Sequence, residues 1–451
     1  MDRRSIFLTL ALLLTAGCAE RQRLPNVILI SLDTVRADHL SVYGYHRPTT
    51  PNLARLAEEG VVFEQAFTPT PWTVPAHMSL FTSLYPSVHS ISHLTPQSDM
   101  SKMLPEMLKD AGYLTAAFVA PVLSEEYGFS KGFEHYFRTE RVRPADIMVD
   151  RALEWLAQDP NRPVVRDQPF FLFLHLFDAH HPYEPPWPFD TAYVPAYGPN
   201  IQEISRSHPY AQDKKLTTEE RSEVVALYDG EIAYTDFAVG RFLDELNVLG
   251  LYDSSLIVVF GDHGEGFLEH GLMNHGNSVY DELIRVPLLV RFPRARHAGR
   301  RVEEPAQLID VTPTILKEVG IAPLPAMQGS FLLDPPQTTA SRRFAYASEA
   351  FAACLRTSSW KLIENPPSRF ERIPRAKQAK YELYDLNEDP TEQNNLAGAL
   401  PDRAESMARS LHAIDQENRK LRARIREALN VREIELTEEQ ERELRSLGYI
   451  Q

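Results

Sequence analysis

The sequence predicts an α/β fold: a mainly parallel central sheet sandwiched by helices, with a small C-terminal antiparallel sheet and terminal helices. First, the segment from Asn26 to Leu32 is almost entirely apolar and ends at Asp33, which is typical of a buried parallel strand. Second, similar apolar runs alternate along the chain with segments of helical periodicity, as in βαβ units. Third, this alternation stops near residue 340, and the short strand-like pieces that follow favour an antiparallel appendage.

The individual elements follow this scheme. Apolar runs predict strands, while capping residues, early prolines and apolar residues three and four positions apart predict helices. The predicted strands are 26–33, 61–67, 114–119, 170–176, 256–261 and 286–292, and the predicted helices are 50–60, 76–84, 101–111, 146–157, 218–249 and 308–319. The C-terminal part adds strand-like pieces at 344–347, 359–363 and 382–386 and a charged helical pattern at 402–447. We therefore predict a main domain at 26–335, an antiparallel subdomain at 340–400 and a helical charged tail at 401–451.

Composition and charge limit the partners. With 451 residues the chain can bury a large core. Asp and Glu (62) outnumber Lys and Arg (47), which gives a formal net charge of -15, and no basic stripe is visible. We therefore expect no nucleic-acid partner. The acidic balance does not exclude an anionic substrate, because nearby side chains and metal ions set the charge of a site.

The N-terminal segment has the pattern of a secretory signal. Arg3 and Arg4 precede an apolar run that is too short for a permanent membrane span. Residues 15–18, Thr-Ala-Gly-Cys, resemble a lipobox, so we expect a signal peptide at 1–17, a tether at 18–25 and an exported lipoprotein, periplasmic or on the cell surface, that meets the membrane only through Cys18. A plain signal peptide and an uncleaved anchor are the alternatives. Cys354 is the only other cysteine, so no internal disulfide is expected.

A hydroxyl group lies next to the start of the predicted helix 76–84. Pro75 suits the first position of a helix, because its missing N–H costs nothing there. Thr73 would then lie just before the helix N-terminus, where unpaired N–H groups and the helix dipole favour an oxyanion. Such a hydroxyl is a candidate nucleophile for a phosphate or sulfate ester. The alternative is that Thr73 only caps the helix.

Acidic residues and a histidine at strand ends predict a metal site. Asp33 ends the first strand, and Asp262 and His263 directly follow the strand 256–261. Ligands of open parallel sheets bind beyond the carboxyl ends of the strands, so these side chains are expected to meet there. With the Thr73 hydroxyl they make a four-ligand set for one divalent ion, which suits zinc or manganese better than calcium.

The order of these motifs resembles the sulfatase family within the alkaline-phosphatase superfamily. The resemblance is carried, in the family's order, by motifs at 26–33, 50–53, 73–89, 261–265 (Gly-Asp-His-Gly-Glu), 269–271, 280–287, 310–314 and 382–390. It runs from about residue 25 to 400 and implies the fold of that superfamily. It also implies that Asp33, Asp262 and His263 are metal ligands and that Thr73 occupies the position of the nucleophile.

Three further histidines gain candidate roles from the resemblance. His180 resembles the family histidine that contacts the ester and assists the leaving group. His275 stands where many members have a lysine that touches the sulfate, and His77 stands where they have an arginine. We expect no second metal ion, because the further ligand candidates, at 178–181 and 275, do not match the pattern of the two-zinc relatives.

The departures from the family pattern bear on the chemistry. Formylglycine-type sulfatases oxidise a cysteine or serine to an aldehyde, whereas oxidation of Thr73 would give a ketone, which hydrates poorly. Thr34 replaces an aspartate that calcium-binding relatives carry, which leaves calcium as the less favoured ion. Thr nucleophiles occur in relatives that transfer phosphoryl groups, and imidazoles such as His180 or His275 are suited to proton transfer near neutral pH.

The sequence therefore predicts a metal-dependent hydrolase that cleaves a sulfate or phosphate ester through a covalent Thr73 intermediate, with the phosphoester favoured. The expected partner is a sulfated or phosphorylated small molecule, glycan or lipid headgroup. One alternative is a transferase that moves a phospho-alcohol group to an envelope glycan or lipid, although such enzymes usually carry transmembrane helices. Another is a catalytically silent module that binds anionic glycans.

Overall fold

The computed structural model describes residues 24–91, 101–140, 144–157, 168–194, 216–334, 345–349, 352–365 and 379–429. The predicted signal peptide, Cys18, most of the tether and the end of the charged tail lie outside these ranges and stay predictions. None of the helices in the described ranges has the length and the apolar content that crossing a membrane requires.

In the described residues, strands and helices intermingle up to residue 318, and four strands and one long helix follow. The strands are β1 (Asn26–Leu32), β2 (Val61–Phe63), β3 (Ala66–Phe67), β4 (Leu114–Val119), β5 (His135–Arg138), β6 (Phe170–Leu176), β7 (Ser255–Gly261), β8 (Gly266–Phe267), β9 (Met273–Asn274), β10 (Arg285–Val286), β11 (Leu288–Arg291), β12 (Arg300–Val302), β13 (Ala306–Gln307), β14 (Ala345–Glu349), β15 (Ala352–Arg356), β16 (Trp360–Glu364) and β17 (Tyr381–Asp385). The α-helices are α1 (Pro51–Glu58), α2 (Thr73–Thr82), α3 (Pro86–His89), α4 (Leu104–Asp110), α5 (Ala145–Ala157), α6 (Thr218–Val248), α7 (Asp281–Ile284), α8 (Val311–Glu318) and α9 (Pro401–Leu429).

Eight strands form the central sheet in the order β12-β2-β11-β7-β1-β6-β4-β5. Every neighbouring pair is parallel except the two pairs of β11, which runs antiparallel to β2 and β7. The prediction of a mainly parallel sheet is therefore confirmed. β1 lies between β6 and β7, and Leu32 is level with Leu176 on one side and Gly261 on the other. The carboxyl ends of these three strands consequently share one edge of the sheet.

Alternate residues of β1 face opposite sides of the sheet, and helices cover both sides. Ile28 and Ile30 belong to an apolar core that includes residues of α1, α5 and α6. Val27 and Leu29 belong to a second core, with residues of α2, α4 and α8. Burial on both faces explains why the strand is a continuous apolar run.

Two of the predicted strands are each split into two strands in the structure. The predicted strand 286–292 is interrupted at Pro287, which has no N–H to donate to a ladder, and it forms β10 and β11 in two different sheets. The predicted strand 61–67 splits in the same way into β2 and β3: β2 pairs with β11, and β3 pairs with β10. Both segments therefore pass from the central sheet into the three-stranded sheet β10-β3-β13 and join the two sheets.

The predicted C-terminal antiparallel sheet is confirmed. It consists of the four strands β14-β15-β16-β17, and all neighbouring pairs are antiparallel. One face packs against α9 through Ala404, Ala408 and Leu411. The other face contributes Cys354 and Ile363 to a core shared with the segment around α7.

A buried charge network fixes this sheet to the main domain. Lys361 Nζ on β16 lies 2.8 Å from Asp281 Oδ1 and 2.7 Å from Glu392 Oε1. Arg356 Nε lies 3.0 Å from the other oxygen of Asp281. Although burial alone would raise it, Arg356 and Lys361 hold the pKa of Asp281 well below its usual value.

We expect Lys361→Met to destabilise the fold by about 3–5 kcal/mol, because two buried carboxylates would lose their shared cation. The measurement is the free energy of unfolding from denaturant titration. The matched control is Lys317→Met, which removes an exposed ion pair with Asp334 and should cost less than about 1 kcal/mol. Equal losses in the two variants would show that the buried network does not hold the sheet in place.

Candidate active site

The predicted metal ligands meet at the shared edge of the sheet. Asp33 and Asp262 directly follow the neighbouring strands β1 and β7, and both are fully buried. The backbone N–H groups of Thr34 and His263 donate to Asp262 Oδ1 at 3.0 and 2.8 Å, which orients that carboxylate. The hydroxyl of Thr34 instead donates to the carbonyl of Asp33, so it does not replace the aspartate that calcium-binding relatives carry.

Thr73 is the first residue of α2, and Pro75 is the third. The prediction that Pro75 is the first residue of the helix is thus wrong, because the helix begins about half a turn earlier. The structure tolerates this shift because none of the first four N–H groups of a helix has a partner inside it. Thr73 Oγ1 lies 3.3 Å from Asp33 Oδ2 and 3.1 Å from His263 Nε2. The hydroxyl therefore faces the acidic edge of the sheet at a helix N-terminus.

His263 presents a lone pair to this group. Its Nδ1 lies 2.9 Å from the carbonyl oxygen of Gly264, which can only accept a hydrogen bond. Nδ1 must therefore carry the proton, and Nε2, which faces Thr73, is free to bind a cation.

The arrangement fits one divalent ion. Asp33 Oδ1 and Asp262 Oδ2 are buried and have no hydrogen-bond partner, which is the state expected of atoms that bind a cation. Asp262 Oδ2 lies 3.5 Å from His263 Nε2, and Thr73 Oγ1 lies 3.1 Å from the same nitrogen. Tetrahedral ligands with bonds of 2.0–2.1 Å lie about 3.3–3.4 Å apart, so these separations suit zinc. Asp33, Asp262 and His263 form a candidate metal-binding group.

The pKa values of Asp33 and Asp262 also fit a cation-binding site. Burial and the neighbouring Asp262 raise the pKa of Asp33 well above its usual value. Burial alone would also raise the pKa of Asp262, but His263, His77 and His175 lower it. Two carboxylates in one dry site repel each other, so one of them holds a proton until a cation replaces it.

Two of the predicted histidines lie beside the predicted ligands. The ring of His275 lies 4.5 Å from that of His263 and 5.1 Å from that of His180. His180 Nδ1 donates to the carbonyl of His181 at 2.7 Å, and His275 Nδ1 lies 3.2 Å from Glu265 Oε1. Burial lowers the pKa of His180 to about 3 and that of His275 to about 4. Both imidazoles are therefore neutral at pH 7, and each has one ring nitrogen that donates and one that can accept a hydrogen bond.

His77 lies beneath Thr73. Its ring is fully buried, with Nδ1 2.8 Å from the carbonyl oxygen of Thr73 and Nε2 2.8 Å from Ser31 Oγ. Its Nδ1 lies 3.7 Å from Asp262 Oδ2. The structure thus places His77 as a buried support for the first turn of α2.

Three residues that contact this site were not predicted from the sequence. His175 Nε2 lies 2.9 Å from Asp33 Oδ2, Tyr183 donates to the carboxylate of Glu265 at 2.9 Å, and the Trp72 ring lies 5.4 Å from that of His275. The signal for His175 was present, because it is the one polar residue of the otherwise apolar strand 170–176. No sequence signal marked Trp72. Its indole ring packs directly on Gly276, where a side chain could not fit, because a Cβ at that position would lie 2.1 Å from the ring.

Comparison with known proteins identifies the family. The sulfatase family model matches residues 25–321, and the model of the C-terminal region of N-sulphoglucosamine sulphohydrolase matches residues 268–420. Arylsulfatase K of Mus musculus is 24% identical over 484 residues, which cover 91% of this chain and 84% of that protein.

Solved structures share the fold. The phosphonate monoester hydrolase of Agrobacterium radiobacter is 21% identical with a TM-score of 0.71, covering 87% of this chain and 96% of its own. A protein solved in complex with its substrate D-glucosamine-2-N,6-O-disulfate is 20% identical with a TM-score of 0.69, covering 88% and 99%. The predicted fold is therefore confirmed. The chain belongs to the sulfatase family within the alkaline-phosphatase superfamily, and it is a hydrolase of sulfate or phosphate esters.

Proposed function

We propose that this chain hydrolyses a phosphate ester through a covalent intermediate on Thr73, at one divalent ion held by Asp33, Thr73, Asp262 and His263. The observation that carries the proposal is the Thr73 hydroxyl, which lies 3.1 Å from His263 Nε2 and 3.3 Å from Asp33 Oδ2. Threonine cannot yield the aldehyde that formylglycine-type sulfatases use. A hydroxyl among metal ligands is instead suited to direct attack on phosphorus.

The ligand set favours zinc or manganese over calcium, because an imidazole and few oxygens suit a transition metal. A bound ion at this position would lower the pKa of the Thr73 hydroxyl and offset negative charge on the ester. The N-terminus of α2 adds backbone N–H groups and the positive end of its dipole.

The residues divide the proton transfers as follows. In the first step a bond forms between Thr73 Oγ and phosphorus while the bond from phosphorus to the leaving oxygen breaks. The neutral imidazole of His180 or His275 takes the Thr73 proton and gives it to the leaving oxygen. In the second step water attacks phosphorus and the bond to Thr73 Oγ breaks. The imidazole accepts the proton of the water and returns it to Thr73.

The proposed substrate is a phosphorylated small molecule, glycan or lipid headgroup. A sulfate ester is the second candidate, because the family match and the sulfated sugar bound by one structural neighbour both point to sulfate. The two candidate substrates differ in the central atom of the ester, phosphorus or sulfur, so they can be separated by assay.

The test is turnover of four 4-nitrophenyl esters by the purified, zinc- or manganese-loaded full chain: a phosphate monoester, a phosphate diester, a phosphonate ester and a sulfate ester. We expect the phosphorus esters to be cleaved with a higher kcat/KM than the sulfate ester. Turnover of the sulfate ester alone would overturn the argument from Thr73. Absence of turnover despite bound metal would favour the transferase or the silent glycan-binding module.

A further inference from the structure

We propose that His175 is a positioning residue of the metal site, which holds Asp33 in the orientation that binds the ion. This inference rests on the metal site of the proposed function and adds a residue that was not predicted from the sequence to be part of that site. It is carried by the position of His175 in the sheet and by the hydrogen bonds of its ring.

The register of the sheet places His175 directly below the ligands. His175 on β6 is level with Ser31 on β1, and Ser31 lies two residues before Asp33. Side chains two residues apart in a strand share a face, so His175 and Asp33 lie on the same side of neighbouring strands. The imidazole of His175 extends toward the carboxyl end of β1, and its Nε2 lies 2.9 Å from Asp33 Oδ2.

The direction of this hydrogen bond follows from the chemistry of the acceptor. A carboxylate that binds a cation is ionised and only accepts hydrogen bonds. His175 Nε2 must therefore be the donor, and the bond fixes Oδ2 while Oδ1, which has no other partner, stays available for the ion. Hydrogen bonds of this kind to ligating carboxylates orient the ligands, and their loss typically weakens metal binding about 10–100-fold.

The neighbouring His77 does not share this role. Its two ring nitrogens are engaged by the Thr73 carbonyl and by Ser31 Oγ, both at 2.8 Å. Its separation of 3.7 Å from Asp262 Oδ2 is too long for a hydrogen bond. His175 is thus the one histidine of this buried pair that contacts a ligating carboxylate.

The test is the zinc dissociation constant of the metal-free full chain, measured by competition with a chromophoric chelator, with stoichiometry from elemental analysis. We expect His175→Leu to weaken zinc binding about 10–100-fold. His175→Gln should restore most of the affinity, because the glutamine amide nitrogen falls near the position of Nε2. His175→Asn places its amide near Nδ1 and should not restore it.

The matched control is His89→Leu. His89 is also fully buried, and its Nε2 lies 2.9 Å from Ser79 Oγ, away from the ligands. The His89→Leu variant should be less stable than the unmodified chain but should bind zinc with the same affinity.

Three results would overturn the proposal. The first is an unchanged affinity in His175→Leu, and the second is equal weakening in the Leu, Gln and His89 variants. The third is two zinc ions per chain, of which His175→Leu loses one, since His77, His175 and Asp262 would then be ligands of a second ion. If His175→Leu does not fold, the Gln and Asn variants give the same comparison. An unmodified chain that binds no zinc or manganese would refute the proposed function itself, which separates the two failures.

Discussion

Thr73→Ala is expected to lower kcat for a phosphate ester by at least about 10³-fold, because it removes the atom that forms the proposed covalent intermediate. The steady-state rate is the first measurement. The second is mass spectrometry of acid-quenched enzyme, in which the unmodified chain should carry a phosphate on Thr73.

Two variants control for changes in the helix. Thr73→Ser keeps the hydroxyl and should retain turnover. Thr82→Ala removes a buried hydroxyl from the same helix, one that donates to the carbonyl of Met78 at 2.7 Å, and should leave kcat near that of the unmodified chain. A loss in Thr73→Ala no larger than that in Thr82→Ala, or a phosphate trapped on another residue, would rule out Thr73 as the nucleophile.

Asp262→Asn is expected to weaken zinc binding by more than the roughly 100-fold upper end typical of outer hydrogen-bonding partners, and to abolish turnover. The change removes the charge of Oδ2, which has no hydrogen-bond partner. It keeps an oxygen that accepts from the backbone N–H groups of Thr34 and His263. The metal-free variant should therefore unfold at the same temperature as the metal-free unmodified chain or above it, because carboxylate repulsion with Asp33 is relieved.

The control for this prediction is Asp253→Asn. Asp253 precedes the other end of β7, is exposed and pairs with Arg291, so its loss should change neither zinc affinity nor turnover. The measurements are zinc titration and the melting temperature with and without zinc. A melting temperature that zinc raises equally in Asp262→Asn and in the unmodified chain would exclude Asp262 from the site.

The central strands were predictable because burial on both faces leaves a direct trace in the sequence. The predicted bounds of β6 match the structure, and those of β7 differ by one residue. The positions of the predicted ligands could be inferred for the same reason: these residues directly follow such runs, and parallel strands end together. The structure accordingly brings Asp33, Asp262 and His263 to Thr73.

The remaining features depend on contacts between distant segments. The contact of His175 with Asp33 requires the register of β6 against β1, and nothing in a single sequence states that register. The packing of Trp72 on Gly276 likewise joins two loops about 200 positions apart. The split of the strand 61–67 follows from the choice of two different partners, which local propensity does not encode.

The pairing of β1 has a consequence for biosynthesis. The Thr34 N–H that orients Asp262 comes from a residue 228 positions earlier, and β1 pairs with β6 and β7 rather than with the strands that follow it. A ribosome must therefore release more than half of the chain before the central strand has both neighbours. Contacts of such sequence separation form slowly, and an apolar strand with open edges invites aggregation. We expect the nascent chain to need protection by a chaperone, and metal capture to be among the last events of folding.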